Sequence, residues 1–274
     1  MIAAHDLFTL QQNLNQYLMK ISAEIQLIRN ATLLLGYAGR NILVDPMFAP
    51  AGAFGSISGK SNSPMVDLPI PVQEILSKTE MVLVTHTHRD HFDPSASASI
   101  DKTVDLFFQP ADRDFFQNEG FLNAKVIDQH IDWKGISIFR TNGQHGSEEV
   151  LSHMGTVSGF ILKAENQPTV YIVGDSIYTD EVKENINAYQ PDYIIVNAGG
   201  AVMPGYEKNI ILMDEKETIA LLNDSGEAKV IAVHMEAIDH CRTTRTSLRN
   251  RADEFLIPNQ RLLIPEDGQT IILG

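Results

Sequence analysis

Cysteine is all but absent from the sequence. Cys241 is the only one in 274 residues, which excludes a disulfide within the chain. Positive charge is scarce too: 21 Lys and Arg stand against 35 Asp and Glu, a formal net charge of −14. Such a surface repels phosphate backbones and argues against a nucleic-acid partner. No uninterrupted apolar run is long enough to cross a bilayer, which argues against a membrane partner. The first residues, MIAAHDLFTLQQNLNQYLMK, lack a basic leader and carry Gln and Asn where a signal peptide is apolar. These absences predict a soluble, cytoplasmic protein, either monomeric or a homo-oligomer. The remaining composition is that of an ordinary globular chain, 43% hydrophobic and 20% charged. A chain of this length buries about three quarters of the surface its unfolded form exposes and needs no stapling.

Leu10, Leu14, Leu18 and Ile21 fall at helical spacing, so residues 1–23 read as a helical extension before a single domain over 24–274. Strand patterns follow. EIQLIR alternates, and TLLLGYAGRNILVDP reads as a hairpin turning at Gly39–Asn41. Residues 46–69 are rich in Gly, Ala, Ser and Pro without a period. They read either as a disordered surface loop or, over 46–66, as a lid on a site. A short helix is expected at 71–78. Further strands are read in MVLVT, GISIFRTN, GTVSGFILK, TVYIVGD, PDYIIVN and KVIAVH, with helices from Asp214, at capping-box spacing from Glu217, and over 244–256. RLLIPEDGQTIIL is expected to close the chain as a hairpin.

The chemistry concentrates in VLVTHTHRDHFDP, residues 82–94. His86, His88, Asp90 and His91 lie within six positions of one another, directly behind an apolar run, in a chain with nine histidines. Imidazole and carboxylate donors together suit zinc, with iron, manganese or cobalt also compatible. Four such donors would crowd one tetrahedral ion but fit around two. Three later strand ends each deliver a further donor: His145 in NGQHG, Asp175 in VGDS and His234 in VHME. Isolated histidines are ordinarily hydrogen-bonded structural residues, and His5, His130 and His153 are read that way. Asp93 before Pro94 reads as a helix N-cap that can also steady a ligand histidine.

THTHRDHFD resembles the H-x-H-x-D-H signature of the metallo-β-lactamase superfamily. The resemblance runs from about IRNATLLLGYAGRNILVDP to the last strand. It implies an α/β, four-layer αββα sandwich of two mixed sheets flanked by helices, with the site at one sheet edge. It also implies two divalent metals, most readily Zn2+, with Mn2+ or Fe2+ as alternatives. His86, His88 and His145 would hold one, Asp90, His91 and His234 the other, and Asp175 would bridge them. Asp45 would support a ligand histidine from behind. Asp175, where many β-lactamases carry a cysteine, places the pattern nearer the branch of ascorbate-6-phosphate lactonase and N-acylphosphatidylethanolamine phospholipase.

The implied activity is hydrolysis of a small ester, lactone, amide or phosphoester by water activated between the metals, whose pKa drops from ~16 toward ~7. Asp90 is the candidate catalytic proton acceptor. A locally positive centre in an acidic protein favours a small substrate with an anionic group. Tyr178, Tyr206, His240, Arg242 and Arg245 flank the expected site as candidate substrate contacts, with solvated or structural roles as the alternative. Cys241 reads as a small buried hydrophobe. Two other functions compete on the same scaffold: an iron-dependent oxidoreductase, and a metal-retaining binding protein without turnover. The related di-iron flavoproteins often place Glu at the position of His88 and carry a flavin domain that this chain lacks. Nuclease action is disfavoured by the acidity.

Overall fold

A computed structural model describes residues 23–274, so the N-terminal helix expected from Leu10 to Ile21 lies outside the described residues. The first sheet is built from β1 (Ala23–Arg29), β2 (Thr32–Tyr37), β3 (Arg40–Val44), β4 (Met81–Val84), β5 (Asp105–Phe108) and β6 (Ala124–Val126). Its flanking helices are α1 (Val72–Lys78), α2 (Pro94–Ser99) and α3 (Arg113–Asn118). The second half contributes β7 (His130–Trp133), β8 (Ile136–Asn142), β9 (Ser158–Lys163), β10 (Val170–Ile172), β11 (Tyr193–Asn197), β12 (Lys229–Val233) and β13 (Leu262–Leu263). Its helices are α4 (Glu148–Met154), α5 (Asp180–Tyr189), α6 (Glu215–Asp224) and α7 (Arg245–Glu254), and β14 (Thr270–Leu273) ends the chain.

The sheets are seven-stranded, with orders β14-β1-β2-β3-β4-β5-β6 and β13-β12-β11-β10-β9-β8-β7. Each is mixed: β3 to β6 and β10 to β13 run parallel, and the remaining pairs are antiparallel. Alternation explains the layers. Leu33, Leu35, Met81, Leu83, Ile138, Ile172 and Ile231 meet between the sheets. Their neighbours point the other way: Leu34, Val82, Val84 and Phe108 meet the first set of helices. Ile161, Tyr171, Ile194 and Val230 meet α5, α6 and α7. Burial on both faces is why these strands read as continuous apolar runs. The architecture is the four-layer αββα sandwich.

Three local readings change. The β2–β3 turn is Ala38–Gly39, both at positive φ, one residue earlier than expected, with Tyr37 paired to Arg40. Asp214 does cap α6 by accepting from Glu217 N, but the Glu217 carboxylate turns away to accept from Tyr178 N, so no capping box forms. The expected terminal hairpin does not form either: β13 joins β12 in one sheet and β14 joins β1 in the other. The Asp267–Gly268 turn signal instead serves a crossing between sheets, held by Gly268 N to Leu27 O and Arg245 to Asp267 and Pro265 O.

The 46–66 segment is ordered. Met47, Phe48 and Ala49 are buried, and a bridge between Phe54 and Ser63 closes the tip. Phe54 lies under the Arg89 guanidinium of the histidine motif, 5.4 Å from ring centroid to Cζ. Asp239 clasps the tip by accepting from the hydroxyls of Ser56 and Ser58 and from the amides of Ile57 and Ser58. Burial alone would raise the Asp239 pKa, but these donors hold it well below the ordinary carboxylate value. The clasp is therefore intact above that value and loosens only as pH falls past it. Asp239→Ala is expected to speed tryptic cleavage after exposed Lys60 by about tenfold at neutral pH, since cleavage tracks the open population. Unchanged cleavage would mean that the clasp does not hold the tip.

Candidate metal centre

Every donor comes from the same rim of the sandwich. His86, His88, Asp90 and His91 follow β4, His145 follows β8, Asp175 follows β10 and His234 follows β12. Asp45, just past β3, and His234 adopt left-handed φ values of 45° and 64°, so the chain turns sharply where each strand ends. Asn30 O accepts from His234 N and secures that turn. Gly199 permits it: a Cβ there would meet His234 O at 2.3 Å.

The seven metal-type donors converge in two groups, His86–His88–His145 and Asp90–His91–Asp175–His234, with ligand atoms in each within 4.8 Å of one another. His145 Nε2 lies 3.3 Å from His88 Nδ1, and His91 Nε2 lies 3.2 Å from His234 Nε2. His234 Nε2 is 3.2 Å from Asp90 Oδ2, and His91 Nε2 is 3.2 Å from Asp175 Oδ2. A tetrahedral ion with bonds of 2.0–2.1 Å spaces its ligands by ~3.4 Å, close to these separations. Asp175 sits between the groups, its Oδ2 3.9 Å from His86 Nε2 and 3.5 Å from His145 Nε2. His86 Nε2 is buried without any hydrogen-bond partner. A buried ring nitrogen is ordinarily hydrogen-bonded, so one left bare calls for another partner. The residues fit a metal.

Charge points the same way. Burial drives His86 well below the ordinary imidazole pKa and lowers His88 and His145, leaving neutral rings with free lone pairs. Burial also opposes protonation of His91, but Asp175, Asp45 and Asp90 outweigh it and lift the ring to about 10; His234 is likewise raised. Burial would raise Asp90 and Asp175, yet the His91 charge beside both, joined by His234, holds them well below the carboxylate range. Buried carboxylates thus demand compensating cation charge, which divalent ions can supply as protons leave.

The rings of His86, His91 and His145 are fixed from behind. Asp45 Oδ2 meets His91 Nδ1 at 2.8 Å and is itself held by Thr85 N and Oγ1. Thr85 Oγ1 lies 3.1 Å from His86 Nδ1, and Ile211 O accepts from His145 Nδ1 at 2.7 Å. Asn197 Nδ2 donates to Asp175 Oδ1 at 2.6 Å. Thr85 and Asn197 escaped the sequence reading, although each is a polar residue at a strand end, the same signal that marks the donors. His234 is the exception in kind: its Nδ1 faces Cys241 Sγ at 3.6 Å. Cys241→Val is expected to weaken metal retention about tenfold, with Cys241→Ser close to wild type, measured by competition with a chelator.

The remaining candidates separate. Among the described residues Asp93 forms no hydrogen bond with a histidine; it caps α2 through Ala96 N and accepts from Phe48 N and Ala49 N, so it anchors the 46–66 loop instead. Tyr178 turns its hydroxyl to Asp224, and Tyr206 turns its own to His153. Arg245 is consumed by Glu236, Asp267 and Pro265 O, which explains why it forms no clamp at the donors. Arg242 donates to Glu207 O, and His240 is buried near the centre, where it feels Asp90 and Asp175. His130 stacks on exposed-side Phe139, away from the donors, and His5 lies outside the described residues.

A four-layer sandwich carrying this donor set at one rim defines a metallo-β-lactamase-fold metalloprotein. The sequence profile of the β-lactamase superfamily domain matches residues 40–235. The UPF0173 protein YddR of Bacillus subtilis is 34% identical over 249 residues, covering 89% of this chain and 97% of that protein. A UPF0173 metal-dependent hydrolase of Saccharolobus solfataricus is 24% identical over 69% of this chain and 77% of its own. The crystal structure of a possible metal-dependent hydrolase from Veillonella parvula superposes with a TM-score of 0.88 at 35% identity, covering 92% of this chain and all of that one. An isothiocyanate hydrolase from Delia radicum gut bacteria superposes at 0.85 with 33% identity, over 90% and 98% of the two chains. The chain belongs to the UPF0173 metal-dependent hydrolases of the metallo-β-lactamase superfamily.

Proposed function

We propose that the protein is a dinuclear, zinc-dependent hydrolase of a small molecule carrying an ester, lactone, amide or phosphoester. The observation that carries this reading is the pair of donor groups sharing Asp175, with donor separations near those of a tetrahedral ion. The histidine-rich donor set suits zinc ahead of manganese or iron. Bound divalent ions supply Lewis acidity, acidifying water and polarising the electrophile. The chain's own residues do the rest. Asp90 is the most exposed carboxylate of the set, at 18% against 3% for Asp175, and is placed to accept a proton from incoming water and pass it on. Asp45, Thr85, Ile211 O and Asn197 keep the donors aimed, so little reorganisation accompanies the reaction.

The isothiocyanate hydrolase neighbour supports a second substrate reading. The carbon of an isothiocyanate, flanked by nitrogen and sulfur, is open to the same attack: water adds across C=N, and the thiocarbamic acid formed splits to an amine and carbonyl sulfide. Elemental analysis of protein purified without chelator, combined with turnover of a lactone, a carboxyester, an amide, a phosphodiester and phenyl isothiocyanate, tests both. About two zinc ions per chain and turnover of at least one substrate are expected. Substoichiometric metal, unchanged by His86→Ala, would end the hydrolase reading; full metal with no turnover would move it to a binding protein.

A further inference from the structure

Beside the donors lies a cavity of about 120 Å³ that the metal centre itself does not explain. Its walls include Ser58 and Lys60 from the clasped loop, Met203 and Glu207 from the segment after β11, and His240 and Arg242 from the turn after β12. It is thus assembled from three stretches, two of which also meet the donor rim. Asp239 clasps the loop one residue before His240, and Cys241, one residue after, faces His234 Nδ1.

His240 is 7% exposed, and its Nδ1 has no hydrogen-bond partner. A buried polar atom left so is costly, and a ligand that satisfies it relieves that cost. Burial also lowers its pKa, so the ring is neutral and can carry its proton on Nδ1. Lys60 is exposed and makes no ion pair among the described residues. Among the described residues the Arg242 guanidinium hydrogen-bonds only the backbone oxygen of Glu207; the Glu207 carboxylate feels the Arg242 charge but spends its hydrogen bond on Gly205 N. Two cations against one occupied carboxylate make this wall positive in a protein whose net charge is −14. The space is too small for a nucleotide or a peptide and suits a short carboxylate arm.

We propose that this cavity is the substrate's anchoring subsite, in which His240 Nδ1 donates to a carboxylate on the non-reacting end of the substrate while Lys60 and Arg242 balance its charge. The proposal rests on the hydrolase reading of the neighbouring centre and narrows its substrate to a carboxylate-bearing molecule. In this role His240 and Arg242 are specificity-determining and leave the bond-breaking step to the donors.

The test uses the zinc-loaded full chain, with two esters of equal acyl chain length as probes: mono-4-nitrophenyl glutarate and 4-nitrophenyl valerate. The wild type is expected to prefer the glutarate about tenfold in kcat/KM, through KM. Arg242→Met and Lys60→Met are expected to collapse that ratio toward one, and His240→Gln to lower it. Titration calorimetry with free glutarate supplies a readout independent of turnover: its Kd should rise about tenfold in Arg242→Met while zinc content stays at the wild-type value. Equal kcat/KM for the two esters in the wild type, or equal glutarate affinity in wild type and Arg242→Met, would overturn the subsite and leave the hydrolase reading standing. Loss of zinc from the wild type together with inertness toward both esters would instead strike the hydrolase reading.

Discussion

Asp175→Ala should release most of the bound metal and cut hydrolysis by at least about a thousandfold. The side chain stands between the two donor groups: Oδ2 faces His86, His91 and His145, and Oδ1 lies 3.7 Å from His234. Among the described residues, no other carboxylate lies within 4 Å of histidines in both groups. On the proposed dinuclear reading, its removal takes away the shared ligand and a buried negative charge that attracts the cations, worth several kcal/mol, and each 1.36 kcal/mol is tenfold in rate. Asp175→Asn is the informative companion. It preserves shape but replaces an acceptor oxygen with an NH2 group, either facing the metal position or facing Asn197 Nδ2, which now donates to Asp175 Oδ1. Both variants should lose metal by elemental analysis, and Asn should lose nearly as much as Ala. Wild-type metal content in Asp175→Ala would refute the shared-carboxylate arrangement.

The donors were legible because their signal is local. His86, His88, Asp90 and His91 sit in one turn, and His145, Asp175 and His234 each lie just past the end of a strand. The layered sandwich, by contrast, came from the resemblance: strands buried on both faces, such as Met81–Val84, show no period that tells one layer from another. β5, β6 and β7 escape for a related reason: at four residues or fewer they are too short to show a period. What stayed hidden involves backbone partners far along the chain. Nothing near Asp93 reveals that its oxygens serve Phe48 N and Ala49 N, 45 and 44 positions away. The Asp267–Gly268 signal misled for the same reason, since the strands on either side each find a stronger partner in a different sheet.

Arg29 is the extreme case, and Arg29→Met should be the most destabilising single change outside the metal donors. In the sequence it ends the alternating stretch EIQLIR, in register with Ile25 and Leu27; in the structure it is 0% exposed. Its guanidinium donates to Val66 O at 2.8 Å, Met47 O at 3.0 Å and Ala49 O at 2.9 Å, closing both ends of the 46–66 loop onto β1. Burial lowers its pKa, with Asp93 the foremost opposing charge. Methionine fills much of the volume but leaves three carbonyls without a donor and Asp93 without its cation. Removing one partner from a buried charged network costs about 3–5 kcal/mol, which in a chain of this size lowers Tm by about 10 °C. Arg29→Lys should recover only part of this, because a point charge cannot span three acceptors. The damage should also reach the rim: the next residue, Asn30, donates to Asp90 O and accepts from His234 N. Metal retention in Arg29→Met should therefore weaken together with Tm, seen by running chelator competition and thermal unfolding on the same sample. A Tm within 2 °C of wild type would show that the loop holds itself and that Arg29 is a passenger in its base.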